Sequence, residues 1–497
     1  ASINYQSPWY PKYRYVEDHF ARVNTAMTRG TPAIRVGVIH PVESCWIHWG
    51  PAEQTALARE ELDTNFENVT EWLLFGSVDF DYISESLLPS LCERGGAPLE
   101  VGNMKYDVII VPGCETVRAS TCERLDAFRR AGGKLIFMGD APKYLDARPS
   151  DIPAKLWAET EHISFTRGAL LGALEGYRTV DIRQANGELT GSLVHQLRRD
   201  GDGLWLFVAQ GKLPYNKDIS RKQKIKITVK GIYRATLYDT LGGKIKPCRF
   251  SHSGDTTVIP AELWLHDSLL IRLDPCDAEE TWSPAAAQKT VEVPMRIPAC
   301  APYALSEPNV LLLDRAEFSF DGGEFEPSEE LLRIDTLLRR KLGWTPWGGS
   351  SNQPWCIPAE PTEHTVKLRF TIESRIPVRD AHLALEAAED TAITLNGVRV
   401  PSVIDGYFTD RSIKTVALPP IPAGISVLEL EAPFGKRTAI EWCYLTGSFG
   451  VRLAGAHAVI EALPETLGFE TITTQGLPFY SGCVSYFIDV TTTGGDL

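Results

Sequence analysis

Three short apolar runs organise the first third of the chain: Ile34-Arg35-Val36-Gly37-Val38-Ile39, Asp107-Val108-Ile109-Ile110-Val111 and Lys134-Leu135-Ile136-Phe137-Met138. Each is rich in β-branched or aromatic residues and ends in a turn signal, and helical patterns separate them. This is the pattern of buried parallel strands joined by crossover helices. A more polar fourth strand is predicted at Asp79-Phe80-Asp81-Tyr82-Ile83. Ahead of this unit, Val16, Phe20, Val23 and Met27 recur at i, i+4, i+7 and i+11. That spacing predicts an amphipathic helix over residues 16–27 with the stripe buried, stopped by Gly30 and Pro32. Inside the unit, Pro51 opens a helix with Leu62, Phe66, Val69 and Leu73 on one face. Ser120-Thr121-Cys122-Glu123 reads as the capping box of another, which Gly132 ends.

From about Gly168 the period shortens to two. Gly203-Leu204-Trp205-Leu206-Phe207-Val208 and Ser268-Leu269-Leu270-Ile271-Arg272-Leu273 read as strands, and Lys224-Ile225-Lys226-Ile227-Thr228-Val229 alternates strictly, so one of its faces is wet. A small antiparallel β domain is expected. Residues 276–305, rich in Pro, Ala and Cys, read as a linker. A helix is predicted over residues 328–342, then a second set of strands. Among them Ile393-Thr394-Leu395-Asn396-Gly397-Val398-Arg399-Val400 is a hairpin, because a type I′ turn needs positive φ at both central residues. Trp442 lies in an apolar strand and is expected in the core. About eight short strands in this span predict a jelly-roll sandwich. The expected fold class is therefore multidomain α/β plus all-β. Its parts are a helix over 1–31, a Rossmann-like α/β domain over 32–165, the small β domain over 166–275, the linker over 276–305 and the jelly roll over 306–497.

Composition narrows the function. At 497 residues, 43% hydrophobic and 23% charged, the chain can bury several cores. A net charge of −14 leaves no basic excess for phosphates, which argues against nucleic-acid and anionic-membrane partners. No apolar run reaches the length of a membrane span. Ala1-Ser2-Ile3-Asn4 reads as a start inside a longer polypeptide. Ten scattered cysteines with no Cys-x-x-Cys pair read as reduced thiols, and a cytoplasmic setting is expected. No phosphate loop and no Gly-x-Gly-x-x-Gly follow the first strand, so no nucleotide or other cofactor is expected.

Several stretches, taken in order, carry a resemblance. They are Gln6-Ser7-Pro8-Trp9 with Glu17-Asp18-His19-Phe20-Ala21-Arg22, Val38-Ile39-His40-Pro41-Val42-Glu43-Ser44, Tyr238-Asp239-Thr240-Leu241-Gly242-Gly243, Asn309-Val310-Leu311-Leu312-Leu313-Asp314 and Gly476-Leu477-Pro478-Phe479-Tyr480-Ser481-Gly482. Their order resembles the C-terminal half of large bacterial glycoside hydrolases of the α-L-rhamnosidase and β-galactosidase kind. The resemblance implies the end of a (β/α)8 barrel, an amidotransferase-like α/β domain, a small β domain and a galactose-binding-like jelly roll. It implies as partners a catalytic barrel of the parent polypeptide, carbohydrate and a homo-oligomer. The departure is the barrel itself. Only its last helix has a counterpart here, so the paired carboxylates of glycoside chemistry are expected to be missing.

Candidate chemistry is sparse. An amidotransferase-like domain implies a nucleophilic cysteine in the elbow after Leu135-Ile136-Phe137, where helix-end amides support the thiolate. Met138-Gly139-Asp140 stands there instead. Cys114 follows the preceding strand, without the elbow geometry, and reads as structural. No catalytic residue is assigned. His40, Glu43 and His48 lie close in sequence at a strand's C-terminal end, where α/β sites gather, and are candidates for the rim of a neighbouring cleft. Their spacing matches no metal signature, and no metal is expected. Glu17, Asp18 and His19 point in different directions on a helix and read as a solvated face. Trp344, Trp347 and Trp355, in a Gly/Ser/Pro-rich loop, with Phe479 and Tyr480 in a late turn, are candidate sugar-stacking rings. The alternative is that they pack between domains. The function expected is a non-catalytic accessory region that supports a barrel and binds carbohydrate. The alternatives are a structural or oligomerisation module and a small-molecule hydrolase acting from the α/β domain.

Overall fold

In the computed structural model, which describes residues 3–216, 221–284, 296–347 and 356–490, the apolar runs of the first third form a five-stranded parallel sheet. The strands Val36–Ile39, Phe80–Ile83, Val108–Pro112, Lys134–Met138 and Glu161–Ile163, numbered along the chain, lie in the order 2-1-3-4-5. Helices cover both faces, which is why the runs are continuously apolar. Ile109, Val111, Leu135 and Phe137 meet Leu125 and Phe128 of the helix Ala119–Arg130. Val36, Val38, Ile110 and Ile136 meet Val69 and Leu73 of the helix Ala52–Leu74. Gly37 leaves room on the first face: a Cβ there would lie 2.6 Å from the Ile83 side chain.

The helix Ala119–Arg130 starts one residue ahead of the expected capping box, and no side chain of its own caps it. Carboxylates from elsewhere do so. Arg118 N donates to Glu85 Oε2 at 2.8 Å and Ala119 N to Asp146 Oδ1 at 3.1 Å. These satisfy amides that the helix itself leaves without acceptors.

The β domain that follows has two antiparallel sheets around one core. Its six-stranded sheet runs Thr31–Pro32, Leu193–Asp200, Gly203–Gln210, Ser268–Pro275, Tyr233–Asp239, Lys244–Pro247. Its four-stranded sheet runs Val180–Gln184, Lys222–Lys230, Thr256–Trp264, Ser251–Ser253. Leu206 and Val208 point to the core with Ile225, Ile227 and Val229. Trp205 and Phe207 point the other way, onto the helix Arg14–Met27. The expected stripe on that helix is only partly the buried one. Val23 and Ala26 are buried, but Val16 is exposed and Phe20 is 56% exposed. Small Ala26 lets the helix axis approach Trp205 and Leu270, and this rotates Phe20 outward. Gly30 ends the turn after the helix with φ +56°, and a Cβ there would lie 1.8 Å from Arg199 O.

The chain divides into two compact units, Arg14–Thr290 and Ala1–Tyr13 with Val291–Leu497. In the latter, two sheets share one apolar core. One runs Asn309–Leu313, Cys443–Gly447, His382–Glu386, Asp410–Ala417, Ile404–Phe408. The other is built on the long pair His364–Ser374 and Gly424–Phe434. The Asn-Gly hairpin forms as expected, with Leu395 opposite Val398 and φ of +51° and +78° at Asn396 and Gly397. The helix Leu331–Lys341 carries a buried ion pair, Asp335 Oδ1 to Arg339 Nε at 2.6 Å. Asp335 also accepts from Ile440 N, and Arg339 also donates to Thr438 O, so the pair ties down the 436–440 loop.

Candidate functional site

A sheet ordered 2-1-3-4-5 reverses direction between its first and third strands, and a crevice opens at their C-terminal ends. Beyond Ile39 the chain enters the six-residue helix Val42–Ile47, which carries Glu43 and Ser44, with His48 just after it. Beyond Pro112 come Gly113, Cys114, Glu115 and Arg118. The crevice therefore holds the residue types of hydrolytic chemistry, and each of them is bound within the chain or buried. Ser44 Oγ accepts from Glu115 N at 2.9 Å and Thr116 N at 3.2 Å, which uses both lone pairs. Glu43 Oε1 accepts from Arg118 Nε at 2.9 Å. His48 Nε2 lies 2.9 Å from Glu115 Oε1. Glu43 and His48 thus bind different residues of one loop and do not converge. His40 is held edge-on by Phe66 and Tyr82, with ring centroids 5.3 and 5.8 Å away.

Electrostatics deepen the lock. Cys114 is 3% exposed, and burial, with Glu85 and Glu43 nearby, raises its thiol well above the usual range. A thiol so placed makes little thiolate. Burial also pushes Glu85 up to about 7, against the opposing Arg118 N–H. One oxygen each of Glu43 and Glu85 has no hydrogen-bond partner within the chain. Among the described residues, no three His, Cys, Asp or Glu side chains gather as metal ligands. No described helix is long and apolar enough to cross a membrane. All ten cysteines are free thiols.

The loop and turn aromatics have different fates. Trp344 stacks on Phe434 at 5.9 Å and packs against the core of its own unit. Arg339 lies over the Trp347 ring at 4.6 Å, and the Trp347 indole N–H reaches Thr438 O at 3.4 Å. Trp355 lies outside the described residues. Tyr480 is buried, its hydroxyl accepting from Ser306 N and donating to Cys483 O at 2.8 Å. Phe479 alone of these lines a groove, of about 250 Å³, on the outer face of the five-stranded sheet.

That groove was not foreseen. Its walls are Val310, Leu312, Phe408, Thr409, Ile413, Trp442, Tyr444, Phe479 and Ser481. Trp442, expected in the core, is 40% exposed, because the strand Cys443–Gly447 sends Cys443 and Leu445 inward and leaves its neighbours outward. Glu330 accepts its indole N–H at 2.7 Å and so holds the ring in one orientation. Phe408 and Tyr444 also line the groove and pack at a tilt of 48°, with centroids 5.0 Å apart. Thr409, a β-branched residue at φ +59°, turns the chain at the rim, and such strain gathers where a surface is built for contact. The hydroxyls of Thr409, Tyr444 and Ser481 have no hydrogen-bond partner among the described residues. Alternation over residues 442–445 was the signal that could have revealed it.

No protein-family model matches the chain, and no curated protein matches it either. Among solved structures, a rhamnosidase from Novosphingobium sp. PP1Y is similar at a TM-score of 0.38 and 16% identity, over 86% of this chain and 37% of that one. A β-galactosidase from Bacillus circulans sp. alkalophilus is similar at 0.32 and 12%, over 49% and 42%. An α-L-fucosidase from Paenibacillus thiaminolyticus is similar at 0.31 and 10%, over 50% and 49%. The chain spans less than half the length of each. These neighbours bear the names of glycoside hydrolases, but likeness at this level leaves activity and substrate to be argued from the chain's own residues.

Proposed function

We propose that the chain is a non-catalytic, carbohydrate-binding region of a glycoside hydrolase-related polypeptide. In this reading the last unit is a jelly-roll-like domain that holds sugar in the groove at Trp442, and the amidotransferase-like α/β domain is support. The observation that carries it is the groove: four aromatic rings and three unclaimed hydroxyls on the sheet and its bordering loops, with no acid–base pair among them. Sugar rings present apolar C–H faces to aromatic rings and hydroxyls to polar rims, which this lining matches. The order of sequence motifs supports the same reading. So does the locked crevice, which leaves no free nucleophile for hydrolysis. Exposed Tyr15, Val16 and Phe20 on the helix Arg14–Met27 are the face on which a parent barrel would rest.

The test is isothermal titration of the full chain with mono- and oligosaccharides. Saturable binding is expected, at weak affinity because a shallow groove buries little ligand. It is expected to disappear in Trp442→Ala with the melting temperature unchanged. Absence of binding to every sugar tried, or binding untouched by Trp442→Ala, would overturn the reading. Aryl glycosides should be turned over no faster than in buffer.

A further inference from the structure

Two stretches far apart in sequence meet at one end of the groove. Its walls include Phe408 and Thr409, at the turn between the strands Ile404–Phe408 and Asp410–Ala417. Ile404–Phe408 is an edge strand, and in its sheet it pairs with Asp410–Ala417 alone. Even that pairing slips twice, between Ile404 and Gly406 and again between Tyr407 and Phe408. An edge strand with an irregular ladder has little of its own to fix where its last side chains point. Thr409, at φ +59°, adds a turn conformation that a β-branched residue rarely adopts unaided.

The missing restraint comes from residues 4–6. Asn4 shapes a tight turn: its side-chain oxygen accepts from Gln6 N at 3.0 Å, and its carbonyl accepts from Ser7 N at 3.1 Å. That turn presents Tyr5 and Gln6 to the residues that flank Phe408 and Thr409. On one flank the Tyr5 ring meets the Tyr407 ring edge to face, with centroids 6.3 Å apart. On the other, the Arg411 guanidinium lies over the Tyr5 ring at 4.8 Å, and Arg411 N donates to the Tyr5 hydroxyl at 3.3 Å. Gln6 Nε2 donates to Asp410 Oδ2, while Asp410 Oδ1 accepts from Ser412 N and Ser412 Oγ, both at 2.7 Å. Each contact is partly exposed and modest by itself. Together they bracket the turn from both sides.

We infer that Tyr5 and Gln6 are positioning residues of the groove. They form a strap that holds the turn of residues 407–411, and through it Phe408 and Thr409, in the arrangement that meets a sugar. The inference rests on the reading of the groove as a carbohydrate site. A wall ordered in advance spares the sugar the cost of ordering it, so loss of the strap weakens binding although no contact to the sugar is removed.

Two measurements on the full chain test it. Hydrogen–deuterium exchange without sugar reads the rim itself. Tyr5→Ala should raise exchange about threefold or more in peptides covering 404–413 and leave those covering 440–446 unchanged. Gln6→Glu, which sets a carboxylate against that of Asp410, should do the same. Gln6→Lys, which keeps a donor facing Asp410, should exchange as the parent does. Isothermal titration with the sugar that binds the parent most tightly should show affinity about threefold or more lower in Tyr5→Ala and Gln6→Glu, and unchanged in Gln6→Lys. Tyr5 is 41% exposed and neither residue belongs to an apolar core, so melting temperatures should hold. Unchanged exchange at 404–413 in both Tyr5→Ala and Gln6→Glu, or faster exchange with parental affinity, would overturn the inference. If no sugar binds even the parent, the carbohydrate reading fails, and exchange alone decides whether the strap holds the rim.

Discussion

At the sheet's switch point, Glu43, Ser44, His48, Glu85 and Arg118 are bound to one another, to Glu115 or to nearby backbone, and Cys114 is buried among them. In the groove of the last unit, Phe408, Trp442 and Tyr444 present rings to solvent, and the rim hydroxyls have no partner in the chain. The first region has the residue types of an enzyme, but they are buried or bound, with one oxygen each of Glu43 and Glu85 left over inside. The second has no reactive residue and many unspent contacts. What a side chain can do for a ligand depends on what the fold has left it free to do. Mutations in the first region should therefore read out as stability, and those in the second as binding.

Arg118→Ala should have the largest effect on stability. It leaves the nearly buried Glu43 carboxylate without its half-exposed partner, and stranding a buried charged acceptor costs about 3 kcal/mol. A denaturant melt should show this loss. A loss under about 0.5 kcal/mol would mean that the crevice is wetter and less locked than described.

Glu85→Gln should show a pH-dependent gain. Glu85 ionises near 4.5 when unfolded and near 7 when folded, so between those values the folded state keeps a proton that the unfolded state has lost. Stability contributed by this group therefore falls as pH rises through that window. The variant should gain on the parent between pH 4.5 and 7, reaching at most about 3 kcal/mol by pH 8, with little difference below 4.5. Asp79, raised to about 6 by burial, adds to the same slope, whereas His195, lowered to about 4 by burial, opposes it. The difference between variant and parent is thus the readout. A flat difference would contradict the burial of that carboxyl.

Cys114→Ser sharpens the contrast at smaller scale. A hydroxyl without a partner in that core should cost about 1–2 kcal/mol. Iodoacetamide should not label Cys114 in the native chain, and labelling would show a reactive thiol. Phe20→Asp should change stability by no more than about 0.5 kcal/mol, because more than half of the residue is already in water. A melting temperature lower by several degrees would show that the ring is covered.

The sequence made the parallel strands legible, because both faces of each had to be apolar, and the hairpin legible, because Asn396-Gly397 is its own turn chemistry. The cap of Ala119–Arg130 was not, since its acceptors arrive from Glu85 and Asp146, far away along the chain. The buried face of Arg14–Met27 was misjudged because a stripe of large residues was weighed above Ala26, and close packing on Trp205 favours the small one. His40, Glu43 and His48 follow the first strand, and spacing does not say that Arg118 and Glu115 claim two of them. The groove went unread because Phe408 sits in a polar stretch and Trp442 was counted as core. Only the fold, which sets the Phe408 ring against that of Tyr444 from a strand three places away in the sheet, brings them together.

Hydrogen–deuterium exchange of the full chain, with and without a saturating oligosaccharide, sees both regions in one measurement. Protection is expected in peptides covering residues 404–413, 440–446 and 476–482, with none in those covering 40–48 and 113–118. Protection at the crevice with none at the groove would contradict the account.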